Sequence, residues 1–381
     1  MHNKEFLLIS IKNIITNIQD LMKKSTREEI DKYATEKMTD EQQHYVPIVY
    51  LKWFSKEWFV IVYDLQNKNF LWEWKPIPPK TICKEWDFYV AMTKNRQYSY
   101  AIEKILFSDF LEWNIWSVIW KLKRQEKLDE FEHNVLTSFI AFQFLRTEKQ
   151  KLQYEERSKL MHKYFIEEIM WLSWNGDYDV FAKNIEKYQK ATWKKLWDIK
   201  KLFNIAKDYE LEAILPKEDY IKYMLKTGTE ITQYLLNCKI TIHHTKKNNR
   251  LITNDNPFYI IPPKWRKYEL WDKINWIWLL LPNDARKIIH LSETIAVECF
   301  PHDFIPWWEI IHRFLNQKST KIFNAYLVKN AKRFIIWSSE ENIQDTIKNI
   351  DFKEIEKIKE IPIVKFFEDE KIIWTFWIYP L

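Results

Sequence analysis

A chain of 381 residues that is 46% hydrophobic and 29% charged can bury a substantial core, which excludes a disordered polymer. Its three cysteines, Cys83, Cys238 and Cys299, lie far apart with no CxxC pair, arguing against a disulfide framework or a thiolate zinc site and for a reducing compartment. The net charge of +6 would suit a nucleic-acid or acidic-membrane partner, but lysine far outnumbers arginine, Ile and Asn abound, and no basic stripe stands out, so compositional bias accounts for it better.

No stretch approaches the roughly 18 apolar residues of a membrane span. The opening residues are too interrupted by charge and Asn for a signal peptide. The expected location is therefore cytoplasmic, without a membrane partner.

The chain holds two glycines and 21 tryptophans, where average usage predicts roughly 27 glycines. Many tryptophans stand where a turn residue belongs, as at Trp58, Trp72, Trp74, Trp86 and Trp271. A turn that needs positive φ favours Gly, Asn or Asp, and a bulky aromatic there is strained. The expectation is that UGA codons encode glycine in the source organism and have been translated as tryptophan. A Trp-rich sugar binder is the competing reading, but stacking platforms need a few oriented rings, not rings scattered through turns.

In chain order, residues 1–38 read as a helical extension with a charged connector, since Phe6, Ile9, Ile14, Ile15, Ile18 and Leu21 recur at helical spacing. A short helix opens at Pro47. Residues 59–64 and 70–71 form a hairpin around Gln66-Asn67-Lys68-Asn69. Helices follow over 98–123, in stretches of 128–171, over 178–206 and over 218–236. Residues 239–244 and 251–253 alternate as a second hairpin around the polar tip 246–250. Further strands are expected at 277–281, 287–291 and 333–336, helices at 320–332 and 340–350, and a closing hairpin from residue 361. The class is α+β, a mainly helical body packed with a modest antiparallel sheet. The organisation expected is an extension and connector over 1–38, one domain over 39–340, and a helix and strand segment over 341–381.

Four polar patches interrupt these apolar runs: His44-Tyr45-Val46-Pro47; Gln143 and Arg146 within the apolar run 139–147; Asn254-Asp255-Asn256-Pro257; and Glu85, Glu103 and Glu112. Gln143 and Arg146 are three apart, hence on one helix face, and need partners if buried. His243 and His244, adjacent on a strand, point to opposite faces and make poor joint ligands. No phosphate loop or nucleophile elbow is present, even with glycine at every tryptophan.

The patches also carry a resemblance. His44-Tyr45-Val46-Pro47 followed by Leu51 and Phe54, then Phe88-Tyr89, Glu103, Gln143 through Arg146-Thr147, Asp255-Asn256-Pro257, Leu281-Pro282 and Asn324 are similar, in order, to the pattern of the bacterial family called domain of unknown function 4238. Asn254 stands where that family usually has serine, and the serine after Leu281-Pro282 is missing. The resemblance covers roughly residues 40–338 and implies no activity, because the family is uncharacterised.

Two readings of the patches remain open. If they converge, His44, Asp255 and Glu103 would form a hydrolase-like site, with Gln143, Arg146 and Asn256 binding a phosphoester or nucleic-acid substrate. Mg²⁺ or Mn²⁺ would then activate water. Alternatively the domain binds a ligand or protein without catalysis, and the same residues hold the fold as buried pairs and turn makers.

Overall fold

The computed structural model describes residues 34–35, 42–92, 98–156, 158–159, 178–192, 199–200, 217–246, 249–261, 285–301 and 310–338. The expectations for the N-terminal helix, the strand at 277–281, the helix at 340–350 and the C-terminal hairpin fall outside these residues. The chain forms two compact units, one of residues 1–151 with 217–350, the other of 152–216 with 351–381. Of the second, the helix Tyr178–Thr192 is described.

The first unit is α+β. Its strands are β1 Ala34–Thr35, β2 Gln42–His44, β3 Ile61–Asp64, β4 Asn69–Phe70, β5 Lys84–Trp86, β6 Ala91–Met92 and β7 Tyr98–Ser99, followed by β8 Cys238–Thr245, β9 Thr253–Asn254, β10 Phe258–Ile261, β11 Arg286–Ser292, β12 Ile295–Pro301, β13 Ile311–Leu315 and β14 Phe334–Trp337. They build a five-stranded sheet in the order β10-β11-β12-β8-β13, a four-stranded sheet in the order β4-β3-β14-β9, and two small sheets, β1-β7-β6 and β2-β5. The large sheet is mixed rather than purely antiparallel, because β13 runs parallel to β8.

The helices of this unit are α1 Ile48–Leu51, continued by a 3₁₀ turn Lys52–Phe54; a π-wound helix Ile102–Glu112 running directly into α2 Trp113–Lys123; α3 Glu130–Leu145; α4 Lys217–Leu236; and α5 Gln317–Asn330. A strand at Tyr98–Ser99 stands where the helical pattern was expected to begin.

The hairpin expected between residues 239–244 and 251–253 does not form. β8 pairs instead with β12 along its whole length, and β9 crosses to β14 in the other sheet. β8 is paired at both edges, with β12 and β13, which leaves no edge for residues 251–253. The Asn249 N–H donates to the Lys246 carbonyl.

α3 organises the helical side. Asp129 accepts from the Glu132 N–H while the Glu132 carboxylate accepts from the Asp129 N–H, a reciprocal capping box. From Glu132 to Leu145 every residue is buried, as expected of a helix apolar almost all round. α4 approaches it so closely that a β-carbon on Gly228 would sit 2.5 Å from the Phe142 ring.

Several non-glycine residues adopt left-handed backbone, among them Trp58 (φ 69°) and Trp72 (φ 54°), whose side chains are 62% and 65% exposed. Trp86 lies in β5, and the left-handed residue beside it is Asp87 (φ 50°).

Gly228→Ala sets two effects against each other. Helix propensity favours alanine by up to about 1 kcal/mol, while overpacking against Phe142 costs about 1–3 kcal/mol. The net expectation is a lower thermal unfolding temperature, and Gly228→Val should lower it further.

Candidate functional site

The C-terminal end of α3 delivers Gln143, Arg146 and Thr147 into the middle of the unit, all buried. Arg146 is 1% exposed, and its guanidinium donates four hydrogen bonds to three acceptors: Nε to the Tyr89 hydroxyl (3.1 Å), Nη1 and Nη2 each to Glu112 Oε1 (3.1 Å), and Nη2 to the His44 carbonyl (2.6 Å). Its flat face lies over the Phe107 ring, 4.1 Å from the centroid. The Tyr89 hydroxyl in turn donates to the Arg146 carbonyl at 3.0 Å.

Burial works against the guanidinium charge, but Tyr89, Glu112 and Glu103 together hold its pKa above the ordinary value. Burial also pushes the Glu112 carboxyl up, against the pull of Arg146. Glu103, on the π-wound helix, therefore acts on this centre through its charge.

Gln143 Nε2 donates to the Tyr45 carbonyl (3.2 Å), and Gln43 Oε1 accepts from the Tyr89 N–H (2.5 Å). Thus Gln143 and Arg146 hold the backbone of residues 44 and 45, not the His44 imidazole. That ring donates from Nε2 to the Lys80 carbonyl at 3.2 Å. Chiefly through burial its pKa is lowered to about 4, which leaves it uncharged and weakly basic at neutral pH.

The Asn-Asp-Asn segment closes the opposite side. Asp255 Oδ1 accepts from the Lys332 N–H (2.9 Å), and Oδ2 from the N–H groups of Arg333 (2.7 Å) and Phe334 (3.1 Å). Its carboxylate thus ties down the turn from α5 into β14. Burial raises its pKa, opposed first by these backbone donors.

Asn256 Oδ1 accepts from the Thr147 hydroxyl (2.9 Å), linking this segment to the end of α3. Asn330 Nδ2 donates to the carbonyls of Asn256 and Phe258, each at 2.6 Å. Asn254 Nδ2 reaches the Leu327 carbonyl at 2.6 Å.

The structure therefore brings members of all four patches into contact around the end of α3. Residues 44 and 45 meet Gln143 and Arg146, Glu112 meets Arg146, and Asn256 meets Thr147. The Asp255 carboxylate faces backbone donors, not Arg146. Among the described residues no group of three or more His, Cys, Asp or Glu side chains is placed to hold a metal ion.

A second polar set, not anticipated from the sequence, lies on the five-stranded sheet. Glu298 accepts from Arg286 at 2.5 and 2.8 Å and pairs with His243 Nε2 at 2.6 Å. Although burial opposes it, Arg286 and His243 hold the Glu298 carboxyl down at about 2. His290, fully buried, donates from Nδ1 to the Ile252 carbonyl (2.7 Å) and meets the Tyr259 hydroxyl at Nε2 (3.0 Å). The available signal was a polar residue inside otherwise apolar strands, and it becomes readable only once the pairing β11-β12-β8 is known.

Two outcomes follow. Arg146→Met strands Glu112 and removes the anchor on residue 44, so it should lower unfolding free energy by about 3–5 kcal/mol in urea titrations. His44, His133, His244 and His290 are all held near about 4 in the folded chain, chiefly by burial. Unfolded histidine protonates near pH 6.5, so between about 6.5 and 4 the unfolded state binds more protons. The histidine contribution to stability is full above that window and falls as pH drops through it, and the urea midpoint should be clearly lower at pH 5 than at pH 7.5.

The family profile that matches this chain, over residues 42–341, is DUF4238, described as a protein of unknown function, and the chain belongs to that family. No curated protein and no solved structure matches it.

Proposed function

We propose that this DUF4238 domain is a non-catalytic ligand- or protein-binding module, in which His44, Glu103, Gln143, Arg146, Asp255 and Asn256 hold the fold. The supporting observation is the carboxylate of Asp255, whose two oxygens already accept three backbone N–H groups. A carboxylate offers about four acceptor positions, so the donors that fix β14 leave about one for Mg²⁺ or Mn²⁺. Arg146, the phosphate clamp of the hydrolase reading, has its donors directed at Tyr89, Glu112 and His44. The His44 imidazole is held at a carbonyl and, with its pKa lowered to about 4 chiefly by burial, is a weaker base than an ordinary histidine.

Titration calorimetry of Mg²⁺ and Mn²⁺ into the protein, with Asp255→Ala alongside, tests this. The expected result is no saturable binding to the folded wild type and a markedly lower melting temperature for Asp255→Ala. Saturable binding abolished in Asp255→Ala would overturn the reading and restore a metal-assisted hydrolase acting on phosphoesters or nucleic acid.

Two further expectations belong with this reading. No helix among the described residues is long and apolar enough to cross a membrane. The cysteines Cys83, Cys238 and Cys299 are free and buried, which supports placement in the reducing cytoplasm. Exposed, left-handed Trp58 and Trp72 support glycine at those positions in the native protein. Mass spectrometry of tryptic peptides from native material should read glycine at 58 and 72, and tryptophan at both would refute the recoding.

A further inference from the structure

The β8–β13 edge of the five-stranded sheet carries a pair of imidazoles that the polar centre around Arg146 does not use. In the parallel register His312 stands opposite Ile242, and Phe314 opposite His244. Positions 244 and 312 therefore lie diagonally on one face, while His243 points to the other face and to Glu298.

His244 Nε2 and His312 Nδ1 are 2.8 Å apart, with ring centroids 5.1 Å apart and planes tilted by 32°. Phe314, 65% exposed, lies against the His244 ring at 5.5 Å. His244 is buried and His312 half-buried, so the pair sits at the boundary between the sheet and solvent.

We propose that His244 and His312 form a two-imidazole clip for a tetragonal transition-metal ion, Cu²⁺ or Ni²⁺. The argument is the gap. At the right angle of a tetragonal ion, metal–imidazole bonds of about 2.0–2.1 Å place the two nitrogens about 2.9 Å apart, close to the 2.8 Å observed, whereas the tetrahedral angle of Zn²⁺ would ask for about 3.3 Å. One partner, His244, is fixed within the sheet, and the other comes from the adjoining strand, so the bite is set by backbone pairing.

In the metal-free pair, one ring donates its N–H to the lone pair of the other. Binding requires both facing nitrogens as lone pairs, so one ring changes tautomer, with its proton moving to its other nitrogen. No proton is released at neutral pH, because both imidazoles are already uncharged there, their pKa values lowered chiefly by burial. No third His, Cys, Asp or Glu side chain among the described residues completes a metal-binding group. Water would occupy the remaining positions, as in an open, exchangeable site and not a closed structural zinc site. Imidazole favours Cu²⁺, Ni²⁺ and Zn²⁺ over the hard, oxygen-seeking Mg²⁺. The clip goes beyond the binding-module reading, and it can fail while that reading stands.

The test is calorimetric titration of Ni²⁺ into the full chain, with Cu²⁺ paramagnetic resonance in parallel, for the wild type, His244→Gln and His312→Gln. The chain has nine histidines, so the variants, not binding itself, identify the site. The expected result is one site weakened by about tenfold or more in each variant, since losing a ligand outweighs losing its supporting shell. The Cu²⁺ spectrum should change from two bound nitrogens to one. Half-buried His312 provides the variant that keeps its fold, checked by an unchanged melting curve. Isotherms and spectra identical in wild type and His312→Gln, or no Ni²⁺ binding to the wild type, would overturn the clip.

Discussion

A guanidinium taken out of water keeps its charge, and every hydrogen it carries must then find an acceptor inside the protein. For four of the five N–H groups of Arg146 the acceptors are Glu112, the Tyr89 hydroxyl and the carbonyl of residue 44, while Phe107 covers its face. These acceptors come from β2, the segment after β5, and the junction of the π-wound helix with α2. They surround Arg146 only if all those segments are in place together. The arginine thus couples the small sheets to the helical core, and the Arg146 carbonyl, held by Tyr89, closes the circuit.

The opposite end of the unit is fastened by the same logic with a different charge. Asp255 is a buried carboxylate compensated by three backbone donors. Its partners lie on the turn that sends β14 between β3 and β9. Asp64 at the end of β3 accepts from the Arg333 side chain at 2.9 and 3.0 Å, so the two acids grip adjoining parts of one turn. Asn256 and Thr147 connect this grip to the end of α3.

The five-stranded sheet is organised separately. Its strand β8, between β12 and β13, is mostly buried and carries two adjacent histidines that must find polar company on opposite sides. One side supplies Glu298 with Arg286, the other His312. The face with Glu298 keeps a strong acid–base pair beneath Phe323 of α5, which meets the His243 ring at 5.2 Å. The other keeps neutral imidazoles near solvent, which separates a structural pair from a candidate ligand pair within one strand.

Periodicity in the sequence determined the apolar faces of α3 to α5, the short helix at Pro47, the hairpin ending at Asn69–Phe70, and the strand character of 239–244, 287–291 and 333–336. Those signals are local, reflecting which residues within a few positions share a face. The family motif was legible too, because its residues are polar interruptions in apolar runs. Which strand β8 would choose was not legible, since alternation in 239–244 and 251–253 suits a hairpin as well as it suits two sheets. Nor was the role of Asp255 and Arg146, for each partner lies tens to hundreds of residues away, and a carboxylate reads alike whether it faces metal, guanidinium or backbone. Only tertiary packing decided that, by bringing particular donors to each buried acceptor and leaving His244 beside His312.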